Sequence, residues 1–201
     1  MAYIDQTLIF ETDKIYYPEP ALGINCEVMM EWEHSIMSAS AAYVTQNGGD
    51  ILEIGFGMGI SAGYIQSHSI SSHTIIENHP DVIPKAQTWA SNKSNVTIIT
   101  GSWWDIFRNR LKSSDNGKTW NNSLGTFDGL FYDTYGDHHQ TNLSLALDHL
   151  MNTNGRATWW NSVTGSNFYN IPNVNYDIIN VNPPENNYFN HQQYYLPKKE
   201  F

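Results

Sequence analysis

The chain of 201 residues carries 10 Lys and Arg against 20 Asp and Glu, a formal net charge of −10, with 13% aromatic residues and one cysteine, Cys26. That length predicts one domain, residues 1–201, with a sizeable core; the lone cysteine excludes an intramolecular disulfide and a Cys-based zinc cage, and the acidic balance argues against nucleic acid while permitting a cationic ligand. No apolar run is long enough for a membrane span, and no basic-then-apolar leader opens the sequence, so the cytoplasm is the expected setting.

Residues 7–17 alternate well enough for a small hairpin turning at Thr12 and Asp13, after which Pro18, Pro20 and Gly23 break the pattern. Residues 27–46 read as a helix, with Met29, Trp32, Ile36, Met37, Tyr43 and Val44 on one stripe and Gly48 and Gly49 ending it. From there strands are expected at 50–55, 73–77, 95–100, 127–133 and 155–161, with helices at 60–68, 80–91, 102–112 and 139–152 between them. Such alternation predicts an α/β fold whose mostly parallel sheet is covered on both faces. Residues 112–125 are polar and read as a surface loop. Past Asn161 the pattern weakens, and 176–181 and 193–196, joined through Pro183 and Pro184, are the two last candidate strands. They bring the expected sheet to seven.

The strand at 50–55 runs into Gly55-Phe56-Gly57-Met58-Gly59, three glycines at alternate positions, and then into a helix. Glycine lets the backbone turn tightly and approach a ligand that a Cβ would exclude. The next strand ends in Glu77, 20 positions beyond Gly57, a spacing that suits a carboxylate receiving a ribose hydroxyl pair. A nucleoside-containing cofactor follows. A dinucleotide fingerprint needs a third glycine where Ile60 stands, and no Lys-Ser/Thr pair follows the loop, which excludes a phosphate-cradling P-loop. S-adenosylmethionine, with a ribose but no pyrophosphate, is the favoured cofactor; a dinucleotide and a purely structural turn are the competing readings.

Two carboxylates stand out by position. Glu33 shares the apolar stripe of its expected helix, where a charge is costly unless paired. Asp133 ends the strand at 127–133, at the edge where ligands of open α/β sheets bind. Each also has an ordinary reading, Glu33 as a satisfied structural acid and Asp133 as a turn residue. Both beside one cleft would make a site for a compact cation. His138 and His139 follow Asp137, but spacing places no third ligand, so a solvated loop is favoured over a metal. Core packing is the first reading for the pairs Trp103-Trp104 and Trp159-Trp160, and a helix start for His79-Pro80.

Three segments, Val28-Met29-Met30-Glu31-Trp32-Glu33, Ile54-Gly55-Phe56-Gly57-Met58-Gly59 and Phe131-Tyr132-Asp133-Thr134-Tyr135, together resemble the guanidino N-methyltransferases. That group contains guanidinoacetate methyltransferase and the fungal and plant arginine δ-N-methyltransferases. His79-Pro80-Asp81-Val82 and Tyr194-Tyr195-Leu196-Pro197 are more similar to the arginine δ branch, and the resemblance runs from about residue 7 to the C-terminus. It implies a Rossmann-like class I methyltransferase, with 1–48 covering the substrate and 49–201 as core. By the same resemblance Glu33 and Asp133 hold the substrate guanidinium and carry the catalysis. Gly55 and Gly57 face the methionine part of the cofactor, Glu77 its ribose, and Gly101, Ser102 and Trp103 its adenine. Asn161 lies near the substrate carboxylate. Glu53, Phe56, Met58 and Gly59 in the same loop, Asn78 after Glu77, and Asp133 itself complete the expected cofactor contacts.

Two departures bear on the substrate: the ankyrin region of the arginine δ enzymes is missing from this sequence, and the segment after Asn161 is shorter than in guanidinoacetate methyltransferase. A small guanidino compound is therefore favoured over arginine in a protein. A catalytically silent cofactor-binding protein and an NAD-dependent oxidoreductase are the remoter readings, with no nucleic-acid or membrane partner and a monomer or homodimer expected. A guanidinium has a pKa above about 12, and two acids stabilise the cation rather than lower that value. Their use is to orient it and accept the proton as the nitrogen lone pair enters the new bond. Asp133, at the strand tip, is the candidate base.

Overall fold

A computed structural model of the protein describes residues 2–113, 120–162 and 169–201. The chain begins with a three-stranded antiparallel sheet, β1 (Ile9–Phe10), β2 (Lys14–Glu19) and β3 (Ile24–Met30), in that order. The turn at Thr12 and Asp13 lies between β1 and β2 as the alternation predicts. Pro18, read as a breaker, instead sits inside β2 opposite Asn25, and β1 pairs with β2 only at Ile15 and Tyr16. The missing N–H of Pro18 thus falls where that side of β2 has no partner.

The expected helix at 27–46 is wrong at its start. Residues up to Met30 are strand, Glu31–Glu33 form a 3₁₀ turn, and α1 is only His34–Val44. Met29 and Met30 pair with Ile15 and Lys14, and this tertiary pairing overrides the helical spacing of the apolar residues.

Strand and helix then alternate through β4 (Asp50–Ile54), α2 (Ile60–Gln66), β5 (Ser72–Glu77), α3 (Ile83–Ala90), β6 (Val96–Thr100) and α4 (Trp103–Arg110). A short hairpin follows, β7 (Leu111–Ser113) with β8 (Trp120–Asn122), in the stretch read as loop; 114–119 of that stretch lie outside the described residues. The chain closes with β9 (Phe127–Tyr132), α5 (Leu143–Leu150), β10 (Met151–Trp159), β11 (Asn175–Asn180) and β12 (Gln193–Glu200). β12 runs four residues past its expected end because Pro197 does not stop it: Pro197 pairs with Tyr176, and its carbonyl accepts the Thr158 hydroxyl at 2.6 Å.

The main sheet has seven strands in the order β11-β12-β10-β9-β4-β5-β6. β10, β9, β4, β5 and β6 are parallel, and β12 runs antiparallel to both of its neighbours. This is the Rossmann-like sheet that the alternation predicts. Strands buried on both faces lose the polar alternation of half-exposed ones, and Ile51, Leu52, Glu53 and Ile54 are all within 2% of full burial. On one face α1 and α2 pack Met37, Ala41, Val44 and Ile65 against Ile51 and Phe131. On the other, α4 and α5 pack Phe107, Ala146, Leu147 and Leu150 against Leu52, Ile54, Leu130 and Tyr132. Among the described residues no helix is long and apolar enough to cross a membrane. The chain leaves β4 in one direction for β5 and returns on the other side as β9. The resulting switch point opens a crevice beyond Ile54, Glu77 and Tyr132.

Candidate active site

A cleft of about 330 Å³ occupies that crevice, within the usual range for small-ligand sites. Of the residues singled out in the sequence, Glu33, Gly55, Phe56, Gly57, Glu77, Asn78, Gly101, Trp103 and Asp133 line it. Glu53, Met58, Gly59, Ser102 and Asn161 do not. Among the described residues no Lys or Arg is on the lining, and carboxylates are the charged side chains they place there.

The glycine loop lines the cleft and is also pressed closely against the protein around it. Gly55 has φ 95°, and a Cβ there would collide with the Asp133 carbonyl oxygen; at Gly57, with φ 53°, it would lie 2.5 Å from Met29 Sδ. The missing side chains therefore make room for the protein itself. Met58 N–H donates to Met29 Sδ at 3.2 Å, and Gly59 caps α2 in a left-handed conformation. Glu53, fully buried behind the loop, accepts the Ser61 hydroxyl through Oε1. Its Oε2 touches His73 Nε2 at 2.9 Å, in contact but not aligned as a hydrogen bond.

Glu77 holds the loop to the end of β5. Its Oε2 accepts from Phe56 N–H, and its Oε1 from the N–H groups of Asn78 and His79, all at 2.8 Å. Gly101 lines the cleft, while Ser102 accepts the Asp105 N–H at 3.5 Å as the cap of α4. Trp103 Nε1 donates to Asp137 Oδ2 at 2.5 Å, the same oxygen that receives the Tyr132 hydroxyl at 2.7 Å. Asp137 thus fixes one wall, a role with no signal in the sequence beyond two adjacent histidines. His139 itself rests against Trp104 with ring centroids 6.1 Å apart. Among the described residues no group of three or more His, Cys, Asp or Glu could hold a metal. Trp159 is core, whereas Trp103 and Trp160 both reach the cleft.

Glu33 and Asp133 meet across this space. Glu33 is 3% exposed, and its burial comes from the 3₁₀ turn before α1 rather than from a helix stripe. Its Oε1 accepts from Met30 N–H at 2.8 Å and from the Tyr188 hydroxyl at 2.6 Å. Burial first, then the Asp133 charge, push its pKa up to about 8, against the pull of those two hydrogen bonds. Asp133 follows β9, its N–H donating to Ile54 O at 2.9 Å. No side chain among the described residues hydrogen-bonds its carboxylate, which lines the cleft. Protein surrounds it on its other sides, and burial, then the charges of Glu53 and Glu77, raise its pKa to about 7. Two carboxyl groups with such proton affinity form a site that a cation would complete.

Asn161 is turned away from this space. Its N–H donates to the Tyr194 hydroxyl and its Nδ2 to Tyr195 O, both at 2.9 Å, and the next residue, Ser162, lines the cleft instead. Tyr3 and Tyr188 are further lining residues that sequence periodicity did not pick out, since neither lies on a patterned element.

A family model described as guanidinoacetate N-methyltransferase matches residues 19–171. Protein arginine N-methyltransferase 2 of Kluyveromyces lactis is 31% identical over 228 residues, which take in 98% of this chain and 54% of that protein. The Saccharomyces cerevisiae protein of the same name is 36% identical over 150 residues, 71% of this chain and 33% of its own length. The chain thus spans about half the length, or less, of these curated relatives. Among solved structures, spermidine synthase from Thermotoga maritima aligns with a TM-score of 0.59 at 13% identity, covering 96% of this chain and 72% of that one. Precorrin-6y C5,15-methyltransferase from Geobacter metallireducens aligns with a TM-score of 0.55 at 11% identity, covering 82% of this chain and 86% of that one. Likeness at such identities speaks for the fold.

Proposed function

The chain belongs to the guanidinoacetate N-methyltransferase family, and from that premise we propose that it transfers a methyl group from S-adenosylmethionine to a guanidino nitrogen. The observation that carries the reading is the pair Glu33 and Asp133 on one cleft, with no Lys or Arg among the described residues of its lining. The donor set fits the cofactor: Glu77 stands at the end of β5 for a ribose, and the acidic lining suits a sulfonium. A dinucleotide fits less well, because among the described residues nothing cationic on the lining meets its two phosphates. When bound, S-adenosylmethionine supplies an electrophilic methyl group.

The remaining work falls to this chain's own residues. Glu77 receives the ribose hydroxyls, while Gly55, Phe56, Gly57, Asn78, Gly101 and Trp103 form the cofactor walls. Glu33 and Asp133 take opposite edges of the planar guanidinium, a geometry that charge-assisted hydrogen bonds reward. The cation replaces the protons these acids hold near neutral pH, and orientation can then supply several kcal/mol towards the barrier. Asp133 accepts the proton as the nitrogen lone pair enters the new bond, since its carboxylate carries no other hydrogen bond among the described residues. Asn161, engaged by β12, has no place in this scheme.

A small guanidino compound is the first substrate reading, supported by a cleft with walls from the N-terminal residue Tyr3 and from Tyr188 near the C-terminus. Arginine in a protein is the second, favoured by the name of the relatives. A methyl-transfer assay with labelled cofactor against guanidinoacetate, free arginine and arginine-rich peptides tests both. Labelled small molecules are the expected result. Labelled peptides alone reverse the order, and no labelled guanidino product at all overturns the function.

A further inference from the structure

Residues 181–192 connect β11 to β12 and carry Tyr188 into the cleft wall. That segment is held from within and from across the molecule. Asn186 Oδ1 accepts from the N–H groups of Tyr188 and Phe189 at 3.0 and 2.7 Å, and Asn187 Nδ2 donates to Asn25 O of β3 at 2.5 Å. The Tyr188 ring lies stacked with Trp32 at 6.1 Å and 28°, with Trp160 on a further side at 6.1 Å. Its hydroxyl accepts from Trp32 Nε1 at 3.1 Å. A phenol has one proton, and with an indole N–H directed at its oxygen that proton is left to go to Glu33.

We propose that Tyr188 is a positioning residue for the substrate: its hydroxyl fixes the rotation of the Glu33 carboxylate, so that Oε1 is taken up by protein donors and Oε2 is left to meet the guanidinium. The proposal rests on the methyl-transfer reading, because it needs Glu33 to receive the cation. Oε1 already has two donors, Met30 N–H and Tyr188, and a carboxylate held at one oxygen presents the other in a defined direction. The indole and the phenol thus relay a fixed orientation from the C-terminal loop to the N-terminal acid. Besides Tyr188, the titratable groups among the described residues that face Glu33 are Asp133 beyond β9 and Tyr194 on β12.

The test compares the full chain, Tyr188→Phe, Glu33→Gln and the double variant, each loaded with S-adenosylhomocysteine. Binding of guanidinoacetate and of ethylguanidine is titrated calorimetrically from pH 6 to 9. Tyr188→Phe keeps the ring stack and is expected to weaken binding of the probe roughly 10- to 100-fold, the share of a hydrogen bond to a charged group. It should also move the acid limb of binding to higher pH, since Glu33 loses a donor that favours its anion, and leave S-adenosylhomocysteine affinity unchanged. In the Glu33→Gln background the same change should cost less than about threefold, as expected for groups acting through one contact. Should Tyr188→Phe fail to fold, Trp32→Phe removes the N–H that directs the phenol proton and should move the limb the same way. An unshifted limb there overturns the proposal. So does wild-type binding in Tyr188→Phe beside a loss in Glu33→Gln, or losses that multiply in full. A wild-type chain that binds neither probe at pH 9 overturns the methyl-transfer reading along with it.

Discussion

Replacing Glu33 by Gln should stabilise the unliganded protein at high pH. The side chain is 3% exposed, and its pKa stands at about 8 against an ordinary 4.5. The folded protein therefore holds this proton more tightly than the unfolded chain does. Stability from this group is fully present below the ordinary carboxyl value and is lost as pH rises through about 8. The distance between the two values sets a ceiling near 5 kcal/mol at about 1.4 kcal/mol per pH unit. Part of it comes from the Asp133 charge and part is relieved by relaxation, so about 2–4 kcal/mol is expected at pH 9. A Gln can still accept from Met30 N–H and Tyr188 through its carbonyl, so the shape and both hydrogen bonds survive. For a chain of this length the gain corresponds to a melting temperature higher by roughly 5–10 °C. Thermal melts of both proteins at pH 5.5 and pH 9, followed by circular dichroism, make the comparison. The variant should gain far more on the wild type at pH 9 than at pH 5.5, where the pH stands only about one unit above the ordinary carboxyl value. A Glu33→Gln protein that melts below the wild type at pH 9 would refute the reasoning and make Glu33 a structural acid.

Asp133→Asn should lower turnover by roughly 10²–10⁴-fold in single-turnover assays and leave cofactor affinity within a few-fold; near-normal turnover removes Asp133 as the base. In the wild type, turnover should rise as pH rises through about 7, because Asp133 acts as its anion. Guanidinium binding at pH 7 should release about one proton, seen calorimetrically as an enthalpy that depends on the buffer, and a buffer-independent enthalpy would contradict the raised proton affinity of the two acids. Glu77→Ala leaves three backbone N–H groups without their acceptor, so it should both lower the melting temperature and weaken S-adenosylhomocysteine binding by at least about tenfold. Unaltered affinity would confine Glu77 to a structural role.

Features written into local spacing are legible in the sequence itself. The glycine loop, Glu77 and Asp133 all sit at strand ends, and a strand end is announced by a short apolar run stopping. For Glu33 the helical spacing points to the right burial for the wrong reason: the residues before it are strand, and only pairing with β2 decides that. Glu53 shows the opposite limit. Its place beside the loop suggested a cofactor contact, yet alternation along β4 directs it inward to Ser61 and His73. Asp137, Tyr3 and Tyr188 lie outside the patterned elements, and contacts such as that of Tyr188 with Glu33, 155 positions apart, have no signature in one sequence.

The contact between Gly55 and the Asp133 carbonyl limits how the cleft can be reshaped. The loop assigned to the methyl donor and the residue assigned to the acceptor touch through main chain, and the Asp133 amide is tied back to Ile54. Neither can shift by a side-chain substitution without dragging the other, so the span between the proposed donor and acceptor sites is built into the sheet. Room for new acceptors has to be found on the other side of the cleft. There Trp160 and Ser162 come from the loop beyond β10, and substitutions of these two, unlike Tyr188 with its bond to Glu33, leave that span and the acid pair in place. Under the proposed function, attempts to admit larger guanidines are best spent on that loop.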